Sequence, residues 1–168
     1  IGIEVDLATA IASGLRVELE IVQKPFGELL GELEAGRVDM VMSGMAVTPE
    51  RAQNVSFVGP YLMSGKSILT KSSTLASVGD TGAINSADVT LAALSNSTSE
   101  MFAKRALPEA KLVAVADYDE AIRLLTEDKV DAVVADMPIC ALSIMRFPDA
   151  GFATLKQPFT YEPIGIAV

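Results

Sequence analysis

The sequence has 168 residues, 50% of them hydrophobic and 21% charged, which is typical of a globular chain and excludes a disordered one. This length allows one large domain or two small ones. The formal net charge of −9 argues against nucleic acid and anionic membranes as partners. No histidine is present, which excludes histidine-assisted nucleophilic catalysis and histidine metal sites. The one cysteine, Cys140, excludes an internal disulfide, and its apolar surroundings indicate a buried structural thiol.

The first part of the chain predicts helices and strands in turn. An apolar face over 4–13 predicts a helix, with Gly14 as its stop. Alternating apolar residues over 17–21 predict a strand, and a further strand is predicted over 66–70. The segment 48–51 has the form of a helix start, with threonine as the N-cap and proline at the first helical position.

Residues 26–45 and 118–137 share one pattern. Each segment has a helical apolar face, a Val-Asp step and then a continuous apolar run, which is typical of a buried parallel strand. The first run ends at Ser43 and Gly44, and the second ends at Asp136. Because ligands bind beyond the carboxyl ends of parallel strands, two such ends in two similar lobes predict a ligand-binding cleft. The alternative is that two βα units of one class look alike without a shared function.

Two helix starts in the second half carry capping patterns. Ser97 is followed three residues later by Glu100, and Asp117 is followed by Glu120 at the same spacing. The first of these helices is predicted to run to Ala106. The other predicted elements are a polar loop with a short helix over 72–86, strands over 89–94, 112–116 and 164–168, and a helix over 138–145.

The segments Ser43–Arg51, Val55–Tyr61, Val130–Asp136 and Glu162–Val168 resemble, in order, those of the family 3 extracellular solute-binding proteins. These are the polar amino-acid receptors of bacterial uptake systems, and their fold also forms the ligand core of ionotropic glutamate receptors. The resemblance implies an α/β, two-lobed type II periplasmic-binding-protein fold with a mainly parallel sheet in each lobe. The lobes would comprise residues 1–68 and 69–162, with a return strand to the first lobe at 163–168.

The resemblance implies a set of ligand contacts in the first lobe. Arg51 matches the guanidinium that binds the ligand α-carboxylate, a bidentate pairing that suits its planar fork of donors. Gly44 would accept the ligand ammonium with its carbonyl, and Phe26 would flank the ligand. A surface arginine and a plain core phenylalanine are the alternatives. The same segment places three further residues at the ligand: Ser43, Met45 and Ala46.

In the second lobe the resemblance implies contacts at a helix start and at a strand end. Ser97 and Thr98 match a second carboxylate contact, where free backbone N–H groups and the positive helix end favour an anion. Ordinary helix capping is the alternative, and both roles are compatible. Asp136 matches the acid that accepts the ligand ammonium, with a salt bridge inside the protein as the alternative. No catalytic residue, metal or cofactor is implied.

The sequence departs from the family pattern in three places. Ala46 stands where relatives usually have threonine or serine, and Asn96 and Ser99 replace glycines. The family's first strand would precede Ile1, and the helices after the return strand are absent, so the chain is expected to be a fragment or to use a partner chain. We therefore expect a dimer, a strand-swapped assembly or low stability, with any leader or anchor lying upstream.

The leading functional hypothesis is a non-enzymatic receptor for a small L-α-amino acid, periplasmic or otherwise extracytoplasmic, including anchored at the cell surface. It would deliver the ligand to the membrane permease of an ABC transporter and close by hinge motion near 66–71 and 163–166. Four apolar positions are predicted to face the pocket and favour an uncharged ligand side chain: Met45, Ala46, Leu94 and Ala135.

Two alternatives share the scaffold. One is the ligand-sensing input domain of a membrane receptor or kinase. The other is an enzyme similar to cyclohexadienyl dehydratase, which needs an acid to protonate a leaving group. After Asp136 the next acid in the sequence is Asp149, which gives that alternative little support.

Overall fold

A computed structural model describes residues 2–168. The chain divides into two compact units: the first contains the described residues up to Leu62 together with Pro163–Val168, and the second is Met63–Glu162. The helices are α1 (Ile3–Leu15), α2 (Leu29–Glu34), α3 (Ser73–Ala76), α4 (Thr98–Ala106), α5 (Tyr118–Thr126) and α6 (Met137–Arg146). The strands are β1 (Phe57–Ser64), β2 (Lys66–Thr70), β3 (Thr90–Leu94), β4 (Lys111–Val115), β5 (Ala132–Asp136), β6 (Ala153–Thr154) and β7 (Glu162–Ala167).

The first unit is built on α1, α2 and the pairing of β1 with β7. Its core contains Val41, Met45, Val55 and Ala167. The sequence predicts that helix α1 ends at Gly14, and the structure does not bear this out. The helix continues to Leu15 and ends where Arg16 adopts a left-handed conformation (φ 58°), which lets the last turn close with backbone hydrogen bonds.

The first unit lacks two strands that the sequence predicts. Residues 17–21 pair with no described strand, and the side chains of Val17 and Ile21 are 59% and 64% exposed. In place of the parallel strand expected over 38–42, Val41 forms a single antiparallel bridge with Ala167. The predictions were wrong here because an apolar or alternating pattern becomes a strand only beside a neighbour that supplies backbone partners.

The second unit contains a five-stranded mixed sheet in the order β4-β3-β5-β2-β6. Strand β3 is parallel to β4 and β5, whereas β2 runs antiparallel to β5 and β6. Successive residues of β5 enter two different cores: Val133 and Ala135 pack on one face of the sheet, and Ala132 and Val134 on the other. Burial on both faces explains the continuous apolar run of this strand.

The division between the units falls earlier in the chain than the boundary at 68/69 that the sequence predicts. Strand β2 pairs with β5 from Lys66 opposite Asp136 to Thr70 opposite Ala132, so it lies wholly within the sheet of the second unit. Across residues 2–168, no helix has both the length and the apolar character needed to cross a membrane.

Candidate ligand-binding site

Arg51 lies in a tight turn of the first unit. The Thr48 hydroxyl accepts a hydrogen bond from the Arg51 N–H at 3.2 Å, as expected of an N-cap, but only a short 3-10 helix forms, over Arg51–Gln53. Arg51 Nη1 donates to the carbonyl of Ala46 at 2.8 Å. Its guanidinium carbon lies 5.6 Å from the centroid of the Phe26 ring, a cation–π distance. Phe26 therefore contacts the group predicted to bind the carboxylate.

Gly44 is held by Glu4, which is in turn bound by Tyr61, and the sequence analysis identified neither contact. Its left-handed conformation (φ 60°) suits a residue without a side chain. The Gly44 N–H and the Tyr61 hydroxyl both donate to Oε1 of Glu4, which is in α1. Burial, and then the Glu4 carboxylate, raise the pKa of Tyr61. From sequence alone, Glu4 was no more than an acid in the first turn of a helix, where it suits the helix dipole.

The four residues assigned to an apolar pocket are all buried inside their own units. The exposed fractions of Met45, Ala46, Leu94 and Ala135 are 1%, 2%, 6% and 1%. Met45 belongs to the core of the first unit, and Ala135 to a core of the second. Because these side chains do not form a surface, they give no support for an uncharged ligand side chain. Ser43, by contrast, is exposed.

In the second unit, Ser97 is the N-cap of α4. Its hydroxyl accepts from the Glu100 N–H at 3.2 Å and donates to the Leu94 carbonyl at 2.6 Å. The Glu100 carboxylate accepts from the Asn96 N–H at 2.7 Å, one residue before the position expected in a capping box. The capping role of Ser97 is thus present. With its hydroxyl already engaged, the groups left for an anion are N–H groups of the first turn, which Thr98 begins.

Asp136 ends β5 and precedes α6. Its Oδ1 accepts a hydrogen bond from Lys66 Nζ at 2.8 Å, so the salt bridge considered as an alternative is present. The same Nζ lies 2.9 Å from Oε2 of Glu162. Lys66 is 0% exposed. The sequence analysis missed Lys66 because its meeting with Asp136 depends on the antiparallel register of β2 and β5, and it missed Glu162 because that residue lies far along the chain, at the start of β7.

Burial raises the pKa of Asp136, and the Lys66 ammonium opposes that shift. The carboxylate of Glu162 raises the pKa further, and the Ser64 hydroxyl lowers it. Two more titratable groups lie nearby. Burial, and then the charge of Asp136, raise the pKa of Tyr118, and burial raises the pKa of the Cys140 thiol to about 12. Tyr118 and Cys140 are therefore neutral near pH 7.

The model of the bacterial extracellular solute-binding proteins, family 3, matches residues 1–104. ABC transporter arginine-binding protein 1 of Escherichia coli is 27% identical over 171 residues, which cover 100% of this chain and 68% of that protein. Cyclohexadienyl dehydratase of Pseudomonas aeruginosa is 27% identical over 160 residues, 95% of this chain and 60% of the enzyme. The chain thus spans about two thirds of the length of these relatives.

Among solved structures, an ancestral arginine-binding protein bound to glutamine superimposes with a TM-score of 0.91 at 31% identity, covering 100% of this chain and 73% of that one. This likeness confirms the two-lobed periplasmic-binding-protein fold expected from the sequence, although the described part of the first unit lacks the predicted parallel sheet. Since the family model covers more than half of the residues, the chain belongs to the family 3 bacterial extracellular solute-binding proteins.

Proposed function

We propose that this protein binds a free L-α-amino acid outside the cytoplasm and delivers it to the permease of an ABC transporter, without catalysing a reaction. The observation that carries the proposal is the presence of Arg51 and Asp136, at the positions of the family motifs, as opposite charges that match the two ends of a zwitterion. The arginine-binding relative from E. coli and the ancestral protein bound to glutamine support an amino acid as the ligand class.

Arg51 is proposed to bind the α-carboxylate. A guanidinium presents a planar fork of five N–H donors, whose geometry matches a carboxylate bidentately. Phe26 packs against the guanidinium and limits its orientation. The N-terminus of α4 is proposed to contribute further N–H groups to the same carboxylate, helped by the positive end of the helix dipole.

Asp136 is proposed to bind the α-ammonium group. One of its oxygens already accepts from Lys66, but a carboxylate offers about four acceptor positions on two oxygens. Its side chain is 16% exposed, so it is not closed off from solvent as the side chain of Lys66 is. The Gly44 carbonyl is proposed as a second acceptor for the ammonium.

A thermal-shift screen against the twenty common L-amino acids tests this function. A ligand at about a hundred times its dissociation constant is expected to add about 2.7 kcal/mol to the free energy of unfolding. The matched control is the same compound without its α-amino group, which is expected to give no shift. A shift with sugars or dicarboxylates and none with any amino acid would end the proposal.

The contribution of the α4 N-terminus can be separated from its capping role. Ser97→Ala is expected to lower the free energy of unfolding by about 1 kcal/mol, and also to weaken amino-acid binding because the uncapped first turn of α4 holds its N–H groups less firmly. Ser72 caps α3 by the same bond, to the Leu75 N–H, and makes a matched control. Ser72→Ala is expected to reduce stability without changing affinity in calorimetry. Equal affinities in the two variants would remove Ser97 from the binding site.

The dehydratase relative supports a second candidate function, an enzyme that eliminates water together with carbon dioxide from a cyclohexadienyl acid. The described residues offer half-buried carboxylates at Asp136 and Glu162, both paired with Lys66, whereas Asp149 lies exposed in another part of the second unit. Incubation with prephenate and arogenate, followed by chromatography of the products, discriminates between the two functions. We expect no product.

A further inference from the structure

Lys66 is a fully buried charge to which the proposed function gives no part. It begins β2, opposite Asp136, and its side chain is 0% exposed. Its Nζ donates to Oδ1 of Asp136 at 2.8 Å and forms an ion pair with Oε2 of Glu162 at 2.9 Å. A buried ammonium is costly unless it is paired, and this one is paired twice.

The backbone of Lys66 is tied to the same group of residues. Its N–H donates to the Thr160 hydroxyl at 2.9 Å, and that hydroxyl donates to Oε1 of Glu162 at 3.0 Å. Oε2 of Glu162 is thus paired with the lysine ammonium, and Oε1 accepts a hydrogen bond from the threonine hydroxyl. This geometry fixes the carboxylate in place beside Asp136.

The acid–lysine cluster, defined as Lys66, Asp136 and Glu162, carries one net negative charge when all three groups are ionised. The side chains of Asp136 and Glu162 remain 16% and 20% exposed, whereas Lys66 has no exposed surface. The solvent-accessible part of the cluster therefore belongs to the two acidic side chains, while the ammonium and Oε2 of Glu162, which pairs with it, are buried. The neighbouring Ser64, Tyr118 and Cys140 side chains add no charge near pH 7.

We propose that Lys66 is a specificity-determining residue for the ligand's ammonium group. It leaves the cluster with one net negative charge, which the single positive charge of the ligand ammonium neutralises. The inference rests on the proposed function, in which Asp136 binds that ammonium. Two carboxylates that face one site without a cation do not both ionise easily, and one of them keeps its proton to a higher pH. Lys66 prevents this proton uptake, so that the ligand does not have to displace a proton in order to bind.

The test is calorimetric titration of the protein with L-glutamine and L-arginine between pH 5.5 and 8. Wild-type affinity for the tighter of the two is expected to change less than about threefold over this range. In Lys66→Gln one of the two carboxylates is expected to bind a proton as the pH falls. That proton competes with the ligand ammonium. Affinity in this variant is expected to be at least about tenfold weaker at pH 5.5 than at pH 8.

A double variant controls for structural damage. Lys66→Gln combined with Glu162→Gln restores one net negative charge on the cluster, and its affinity is expected to become nearly independent of pH again. A flat profile in Lys66→Gln, or the same slope in the single and double variants, would overturn the inference. Should Lys66→Gln fail to fold, Glu162→Gln alone leaves the cluster neutral. It is then expected to bind the amino acid at least about tenfold more weakly at every pH, and unchanged affinity would overturn the inference.

A titration without ligand separates this inference from the proposed function. Carbon-13 NMR of the side-chain carboxyls is expected to show, in Lys66→Gln, one carboxyl of Asp136 or Glu162 titrating at least about one pH unit above its wild-type value. Wild-type protein that binds no amino acid would contradict the proposed function. Carboxyls that titrate identically in wild type and Lys66→Gln would contradict the role of Lys66 whether or not an amino acid binds.

Discussion

Replacing Arg51 with alanine is expected to weaken amino-acid binding by about 2–5 kcal/mol, because the ligand carboxylate is left without its guanidinium partner. Arg51→Lys is expected to recover only part of this loss, since an ammonium cannot form the bidentate fork. Isothermal titration calorimetry with the amino acid that gives the largest thermal shift measures both effects. Circular dichroism should first show that each variant is folded, because Arg51 also binds the Ala46 carbonyl.

Arg37 provides the matched control in the same unit. Its Nε and Nη2 each donate to the Glu32 carboxylate at 2.9 Å, which makes it an arginine with a structural partner and no proposed ligand contact. Arg37→Ala is expected to retain wild-type affinity. If folded Arg51→Ala also binds as tightly as the wild type, Arg51 is not the carboxylate contact. It then lacks the role that the family motif implies for it.

Gly65→Ala is expected to destabilise the protein by about 3 kcal/mol or more. A Cβ at this position would lie 1.8 Å from the backbone oxygen of Thr160 and 2.9 Å from Cβ of Pro158. The contact with Thr160 is with backbone, which cannot rotate away as a side chain does. The strand start at Lys66 would have to move, and the acid–lysine cluster with it. Urea denaturation monitored by circular dichroism measures the loss.

The control for Gly65 is a glycine with open surroundings. Gly31 lies within α2, and a Cβ there would meet no atom within 4 Å. Gly31→Ala is therefore expected to stabilise the protein by about 0.5–1 kcal/mol, through helix propensity and a less flexible unfolded chain. Equal unfolding midpoints for Gly65→Ala and Gly31→Ala would contradict the close packing inferred at Gly65.

Local patterns predicted the second unit well. The capping residues Ser97 and Asp117 begin helices as expected, since their side chains bond N–H groups only three residues away. Strand β5 was recognisable because burial on both faces requires an unbroken apolar run. The first unit was predicted less well, because the strand expected over 17–21 needs a neighbouring strand that the described residues do not provide.

The candidate site was predictable to the extent that it follows contiguous motifs. Arg51 and Asp136 could be named from sequence because each lies in a short family segment. Lys66 and Glu162 could not, because Lys66 meets Asp136 through the register of β2 and β5, and Glu162 meets Lys66 across a long separation in sequence. The prediction that four apolar residues line the pocket gains no support from their burial, for a related reason. The direction in which a side chain points depends on packing that no local pattern specifies.

The division of the chain has a consequence for the order of folding during synthesis. The second unit is one uninterrupted stretch, Met63–Glu162, with hydrophobic cores on both faces of its sheet. The first unit takes residues from both sides of that stretch, and Ala167, which is fully buried, supplies the bridge to Val41. Units fold as their residues emerge from the ribosome. The residues before Met63 therefore wait for those after Glu162, and the unit between them folds before they come together.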